Sequence, residues 1–203
     1  MIYFDHSATT PIHPLVAKKV DNINRIHYAN PSSIYSEGRK AKSLIEKART
    51  QVAKAIGAQS TQVFFTSGGT EANNQVLWNK LNKEKKHIIV SSIEHPAIIK
   101  VLKKIECYGI TSSLIPVNKN GLIEIDSVMK LIKKNTGLIS IMLANNEVGT
   151  IQPIREIIEN INSLNIPFHT DAVQALGKIP IDVNSLGVDY LSLSAHKFYG
   201  PKG

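Results

Sequence analysis

With 203 residues, 42% of them hydrophobic and 20% charged, the chain has the makeup of a globular protein with one real core, and is short for two domains. No stretch reaches the unbroken apolar length of a membrane span, and Met1-Ile2-Tyr3-Phe4-Asp5-His6 lacks the basic start and apolar run of a signal peptide, so a cytoplasmic protein is expected. The net charge of +8 is spread over lysine-rich helix faces, with 6% aromatic residues that do not cluster with it; this describes a solvated surface and excludes a concentrated nucleic-acid patch.

The elements follow in chain order. Ala41, Leu44, Ile45, Ala48, Val52, Ala55 and Ile56 recur at helical spacing after Ser36, and Gly57 stands where that helix would stop. Val63-Phe64-Phe65-Thr66 reads as a buried strand, followed by Gly68-Gly69 and a helix over about 70–81. His87 to Val90 is a second strand, preceded by the basic loop Lys83-Glu84-Lys85-Lys86, and a helix starts near Pro96, a residue suited to a first helical turn. Ser113 to Val117 reads as a short strand, and Asp126 is placed to cap a helix carrying Val128, Met129, Leu131 and Ile132. Leu138 to Leu143 is the next strand. A helix with Ile154, Ile157, Ile158, Ile161 and Leu164 on one face follows, and Pro167 to Thr170 and Tyr190 to Leu193 complete the set. Strands alternating with helices predict an α/β fold, a mostly parallel sheet with helices on both faces.

Polar residues collect at the ends of five predicted strands: Thr66-Ser67-Gly68-Gly69-Thr70-Glu71, Glu94-His95, Asn145-Asn146-Glu147, Asp171 with Gln174, and Ser194-Ala195-His196-Lys197. In open parallel sheets ligands bind beyond the carboxyl ends of the strands, so these segments are expected to line one site. The glycine pair before a helix suits an anion such as a phosphate, although a tight strand-to-helix turn accounts for it equally; neither a Walker motif nor a dinucleotide fingerprint is present. Asp171 suits either a helix cap or the carboxylate that keeps a pyridine nitrogen protonated. Lys197, next to Ser194 and His196 in a sharp Gly-Pro turn, is a candidate for an amine whose pKa is lowered by desolvation and which forms a Schiff base. His95 is a candidate for a ring-stacking proton carrier. The remaining histidines show no metal-ligand spacing. Cys107, the single cysteine, excludes an internal disulfide and is expected as a small buried hydrophobe.

Asp5-His6-Ser7-Ala8-Thr9-Thr10-Pro11, Asn30-Pro31-Ser32-Ser33, Thr66 to Glu71, Glu94-His95, Asn145-Asn146-Glu147-Val148-Gly149 and Ser194 to Gly203 occur in an order and spacing that resembles cysteine desulfurases of the NifS/IscS group. These are pyridoxal 5'-phosphate (PLP) enzymes of the aspartate-aminotransferase fold. The resemblance covers the whole chain; Tyr35 stands where many relatives have a histidine. It implies a short N-terminal arm (1–15) and a PLP-binding large domain (16–203), truncated before the C-terminal small domain. It also implies that Lys197 bears the cofactor and takes the substrate's α-proton, that Asp171 meets the pyridine nitrogen and Gln174 the ring hydroxyl, and that His95 stacks on the ring. Gly69, Thr70, Ser194 and His196 would hold the phosphate, and Asn146 the cofactor or the substrate carboxylate.

The implied reaction converts L-cysteine to L-alanine and passes sulfur to an enzyme cysteine as a persulfide, for iron–sulfur cluster or thio-cofactor synthesis. A homodimer and a sulfur-acceptor or scaffold protein are the implied partners. Cys107 lies late in the helix after His95 and does not match the persulfide position. The family fold also has an antiparallel strand between the lysine strand and the strand before Thr66; it follows the lysine strand in sequence. Without it, both strands are expected to carry unpaired backbone groups. Two other accounts stand beside the desulfurase: a different PLP-dependent lyase or aminotransferase acting on a small amino acid, and a non-catalytic remnant or partial subunit.

Overall fold

A computed structural model describes residues 2–202. Met1 of the N-terminal arm and Gly203, which closes the lysine motif, lie outside the described residues. The elements are α1 (Pro14–Ile26), α2 (Ser36–Ala55), α3 (Gly69–Trp78), β1 (His87–Ser91), α4 (Pro96–Ile105), β2 (Thr111–Ile115), α5 (Ile125–Leu131), β3 (Thr136–Ser140), α6 (Ile154–Ile161), β4 (Phe168–Asp171), α7 (Val183–Leu186) and β5 (Tyr190–Ser192). The five strands form one sheet in the order β2-β1-β3-β4-β5, every pairing parallel.

Two apolar layers cover the sheet, and the period-2 alternation of the strands sorts residues between them. Ile88, Val90 and Leu138 pack with Leu77 of α3 and Ile98, Leu102 and Ile105 of α4. Their neighbours Ile89 and Ile139 face the other way and pack with Val128 of α5 and Ile154, Ile157 and Ile161 of α6. Burying each such side chain contributes about 1.5–3 kcal/mol, which explains why β1 and β3 are buried along their whole length.

Two histidines tie the sheet together from within. His87 on β1 shares hydrogen bonds with Thr136 Oγ1 of β3 (2.8 Å) and Ser113 Oγ of β2 (2.9 Å). His169 on β4 does the same with Ser140 Oγ of β3 (2.8 Å) and Ser192 Oγ of β5 (2.9 Å). Each ring thus satisfies both nitrogens while spanning three strands, which is what a fully buried polar side chain requires.

The ends of α2 and α4 follow their sequence signals. Gly57, at φ +71°, adopts the left-handed conformation that closes α2 without the strain a Cβ would bring. Pro96 opens α4, and the His95 ring caps it by accepting from the Ala97 N–H at 3.1 Å.

Four expectations are corrected. Residues 63–66 are extended but enter no ladder: Val63 is buried, whereas Phe64 is 78% exposed. The Val63 carbonyl accepts from the Arg49 guanidinium, which also lies over the Phe65 ring, so a side chain on α2 takes the place of a strand neighbour. The open edge expected at the lysine strand is present: among the described residues β5 pairs with β4 alone. Asp126 sits inside the first turn of α5 instead of capping it; Glu124 holds the cap position, without a side-chain bond. Asp171 is the last residue of β4 and a turn follows it, so no helix begins there for it to cap. Cys107 is exposed, because α4 gives way to a single 3-10 turn (Glu106–Tyr108) at the surface.

Candidate active site

The strand order reverses direction at β1, which neighbours both β2 and β3. Such a switch point opens a crevice at the carboxyl ends of a parallel sheet. A cavity of about 500 Å³ lies there, and Gly69, Thr70, His95, Asn146, Asp171, Gln174, Ser194, His196 and Lys197 all line it. The structure therefore brings together every site residue expected from the sequence, from five separate segments. Asn73 and Met142, which the sequence did not single out, also line the cavity, as do Asp5, Ser7 and Ala8 of the first motif, to which no role in the site had been given. For Asn73 a signal existed: it lies three residues after Thr70 on α3, and residues at that spacing share a helix face.

Asp171 is 6% exposed. Its Oδ1 accepts from the Val173 N–H at 3.0 Å and its Oδ2 from Asn73 Nδ2 at 2.7 Å. Burial pushes its pKa up, and these two hydrogen bonds, with the charges of His95 and Lys197, pull the other way. Among the described residues no cation lies within ion-pair distance of it; the ion pairs are surface contacts on α1, α2 and α6. A protonated ring nitrogen placed against Oδ1 or Oδ2 would supply the missing partner.

The α3 N-terminus forms another wall. Gly68 at its cap offers no side chain, and the first-turn N–H groups of an α-helix have no intrahelical acceptor. A Cβ on Gly69 would come within 2.9 Å of Val173 Cγ2 and 3.4 Å of Ser194 Cβ. The first distance is shorter than a real Cβ contact, so glycine is what lets the helix start approach the turn after β4 this closely. With the Ser194 hydroxyl and the His196 ring in the same lining, the donors suit a phosphate group. The residues present thus fit PLP at both ends of the molecule.

Lys197 reaches back to the arm, where its Nζ donates to the carbonyls of Ser7 and Ala8 (2.7 Å for the latter). Desolvation, and then the charge of Lys178, lower its pKa, which raises the share of free amine. Gln174 Nε2 donates to the same Ser7 carbonyl at 2.8 Å, and its Oε1 accepts from Lys178 Nζ at 2.6 Å. Further hydrogen bonds fasten the arm: Thr10 N–H donates to the His196 carbonyl (2.9 Å), Tyr199 N–H to Thr10 Oγ1 (2.7 Å) and His13 N–H to the Tyr199 carbonyl (2.9 Å). Tyr199 has φ +66°. Such a conformation costs a bulky residue energy, and here it is held by bonds on both sides. Cys107 does not line the cavity: the ten residues of α4, about 15 Å of helix, separate it from His95. Among the described residues no group of His, Cys, Asp or Glu is placed to hold a metal, and no helix is long and apolar enough to cross a membrane.

Comparison with known proteins agrees with this geometry. The chain is 46% identical over its whole length to the cysteine desulfurase IscS of Dictyoglomus turgidum, of which it covers 52%. Among solved structures, a NifS-like protein matches with a TM-score of 0.95 at 40% identity, covering all of this chain and 57% of that one. A structure described as SspA in complex with cysteine matches with a TM-score of 0.95 at 39% identity, covering all of this chain and 59% of that one. The chain spans about half the length of the curated relatives it matches. The class-V aminotransferase and cysteine desulfurase relatives are PLP-dependent. Residues 2–203 match the model of the aminotransferase class-V family, and the chain belongs to that family, with its likeness running to the NifS/IscS cysteine desulfurases.

Proposed function

We propose that this chain supplies the cofactor-binding part of a cysteine desulfurase, which takes L-cysteine to L-alanine and hands the sulfur on for iron–sulfur cluster or thio-cofactor synthesis. The observation that carries the reading is the position of the Lys197 amine and the buried Asp171 carboxylate on the lining of one cavity that also holds an uncapped helix start. PLP bound there supplies an electron sink that stabilises negative charge developing at the substrate's α-carbon.

The protein's share is binding, orientation and proton handling. Asp171 would keep a positive charge on the ring nitrogen, and Gln174 would donate to the ring hydroxyl. His95, whose Nδ1 is engaged by the Ala97 N–H, would lay its ring against the cofactor and carry a proton at Nε2. Gly69, Thr70, Ser194 and His196 would hold the phosphate, and Asn146 the substrate carboxylate or the cofactor. Lys197 would hold the cofactor through its Nζ and, once the substrate's amine has displaced it as a free amine, take the substrate's α-proton; either role requires it to give up its bonds to Ser7 and Ala8. The domain division, an arm over 1–15 and a cofactor-binding domain over 16–203, belongs to this proposal, as do a homodimer and a sulfur-acceptor or scaffold partner.

The described residues put no thiol at the cavity, since Cys107 lies at the far end of α4. Sulfur acceptance therefore falls to a group outside them, and the chain on its own is expected not to turn over cysteine. The first test is the visible absorption of the purified chain with added PLP. A yellow band that Lys197→Ala abolishes is expected; a band indifferent to Lys197 would overturn the assignment. The same lack of a thiol supports a second reading, β-elimination from a small amino acid. Pyruvate instead of alanine from L-cysteine would decide for it.

A further inference from the structure

Glu94 is a carboxyl group beside the cavity that the proposed cofactor site does not use. It is 7% exposed and sits between the end of β1 and His95. Its Oε1 accepts two short hydrogen bonds, from the Ser91 hydroxyl at 2.5 Å and from the Met142 N–H at 2.7 Å. Ser91 is the last residue of β1, and Met142 lies two residues beyond β3, so one oxygen joins the carboxyl ends of two neighbouring strands at the switch point. The side chain is thus fixed at both ends of a short lever. The next residue is His95, and both His95 and Met142 line the cavity.

The bonding pattern also bears on charge. Both donors go to Oε1, while Oε2 is buried with no hydrogen-bond partner among the described residues. No cation pairs with Glu94 there either. An ionised carboxylate so placed would be a buried, unpaired charge, which is far more costly than a neutral acid with the same contacts. Burial and, to a smaller extent, the negative charge of Asp171 push its pKa up to about 8, and the hydrogen bonds from Ser91 and Met142, which favour the ionised form, offset only part of this.

We propose that Glu94 is a positioning residue: as a neutral acid it clamps the β1 turn to β3, holds His95 against the cavity and leaves the buried negative charge to Asp171. The proposal rests on the reading of the cavity as a cofactor site, because that reading gives His95 a ring to face.

Its test uses the whole chain and reads His95 directly, by the ring 15N and 1H resonances of the cofactor-free protein, followed by PLP titration. Glu94→Gln keeps a planar, uncharged group that accepts from the Met142 N–H, and is expected to leave the His95 resonances in place and PLP affinity unchanged. Glu94→Ala removes the clamp; it is expected to move the His95 resonances and weaken PLP binding about tenfold. A protonated-carboxyl infrared band at neutral pH that vanishes in Glu94→Gln is expected as well.

His95 resonances displaced as far in Glu94→Gln as in Glu94→Ala would show that the charge is needed and would overturn the proposal. Unmoved resonances in Glu94→Ala would overturn it too. If Glu94→Ala does not fold, Ser91→Ala takes its place; it removes one of the two donors and is expected to give a smaller displacement, and none at all would count against the clamp. Since the resonances are read without cofactor, a wild-type chain that fails to bind PLP would defeat the cofactor reading and leave the clamp standing.

Discussion

Asn73 donates its side-chain amide to Asp171 Oδ2 at 2.7 Å, joining the first turns of α3 to the end of β4 across 98 residues of sequence. The bond connects the wall that suits a phosphate to the carboxylate that suits a ring nitrogen. Asn73 is 1% exposed and Asp171 6%, so neither partner has water to replace the other. Asn73→Ala is expected to destabilise the chain by about 1–3 kcal/mol, the cost of leaving a buried acceptor unmet. It should also push the Asp171 pKa further up and weaken PLP binding. Urea unfolding and a PLP titration check both effects; a variant with full stability and full affinity would show the bond to be idle.

Buried groups of opposite sign shape the pH dependence of stability. Burial lowers the His169 pKa to about 3 from an ordinary 6.5. Between these values the unfolded chain binds a proton that the folded chain refuses, so stability rises with pH by roughly 1.4 kcal/mol per unit and then levels. Glu94 acts in reverse. Its pKa is raised from 4.5 to about 8, so the folded chain holds a proton that the unfolded chain releases, and stability falls across that window.

The two contributions oppose each other from pH 4.5 to 6.5, and from 6.5 to 8 only that of Glu94 remains. Asp171, raised by burial, adds to the fall, and His87, lowered by burial, adds to the rise. Urea midpoints followed across pH are expected to decline from 6.5 to 8 in the wild type and to decline less in Glu94→Gln. Identical profiles would mean that Glu94 does not titrate in this range.

Gly69→Ala places a methyl group 2.9 Å from Val173 Cγ2, forcing α3 away from the turn after β4. The fold is expected to survive, with a loss of about 1–3 kcal/mol from overpacking, while affinity for PLP drops more than affinity for the phosphate-free aldehyde. Trimming the obstacle in the double variant Gly69→Ala/Val173→Ala should restore part of that affinity. Equal losses for both aldehydes would move the phosphate site elsewhere.

Lys178 acts on Lys197 through charge and on Gln174 through a hydrogen bond. Replacing it by methionine removes a positive neighbour, which favours the protonated form of Lys197, so the Lys197 pKa should rise. Desolvation is the larger cause of its depression and stays in place, so the rise is expected to be partial. The pH dependence of lysine modification, with Lys197→Ala as the blank, measures the change. An unchanged or lowered value would refute the coupling.

The periodicity of the chain was enough to place most of its regular elements, though not α1 or the short α7. The 3.6-residue pattern after Ser36 and the stop at Gly57 mark α2, and the short apolar runs near His87, Leu138, Phe168 and Tyr190 mark four of the five strands, because local patterning and burial agree there. The order of its short polar motifs was enough to gather the nine expected residues, since strands in a parallel sheet all deliver their carboxyl ends to one rim. Tertiary structure decided what depends on a neighbour. Residues 63–66 have the composition of a buried strand, but a ladder needs a partner, and an arginine side chain stands there instead. Cys107 has the burial habit of its residue type, yet it lies where a helix runs out into solvent. The Asn73–Asp171 bond and the double clamp by Glu94 join segments far apart in sequence. No local pattern encodes such contacts, because they exist only once the sheet has brought its strand ends together.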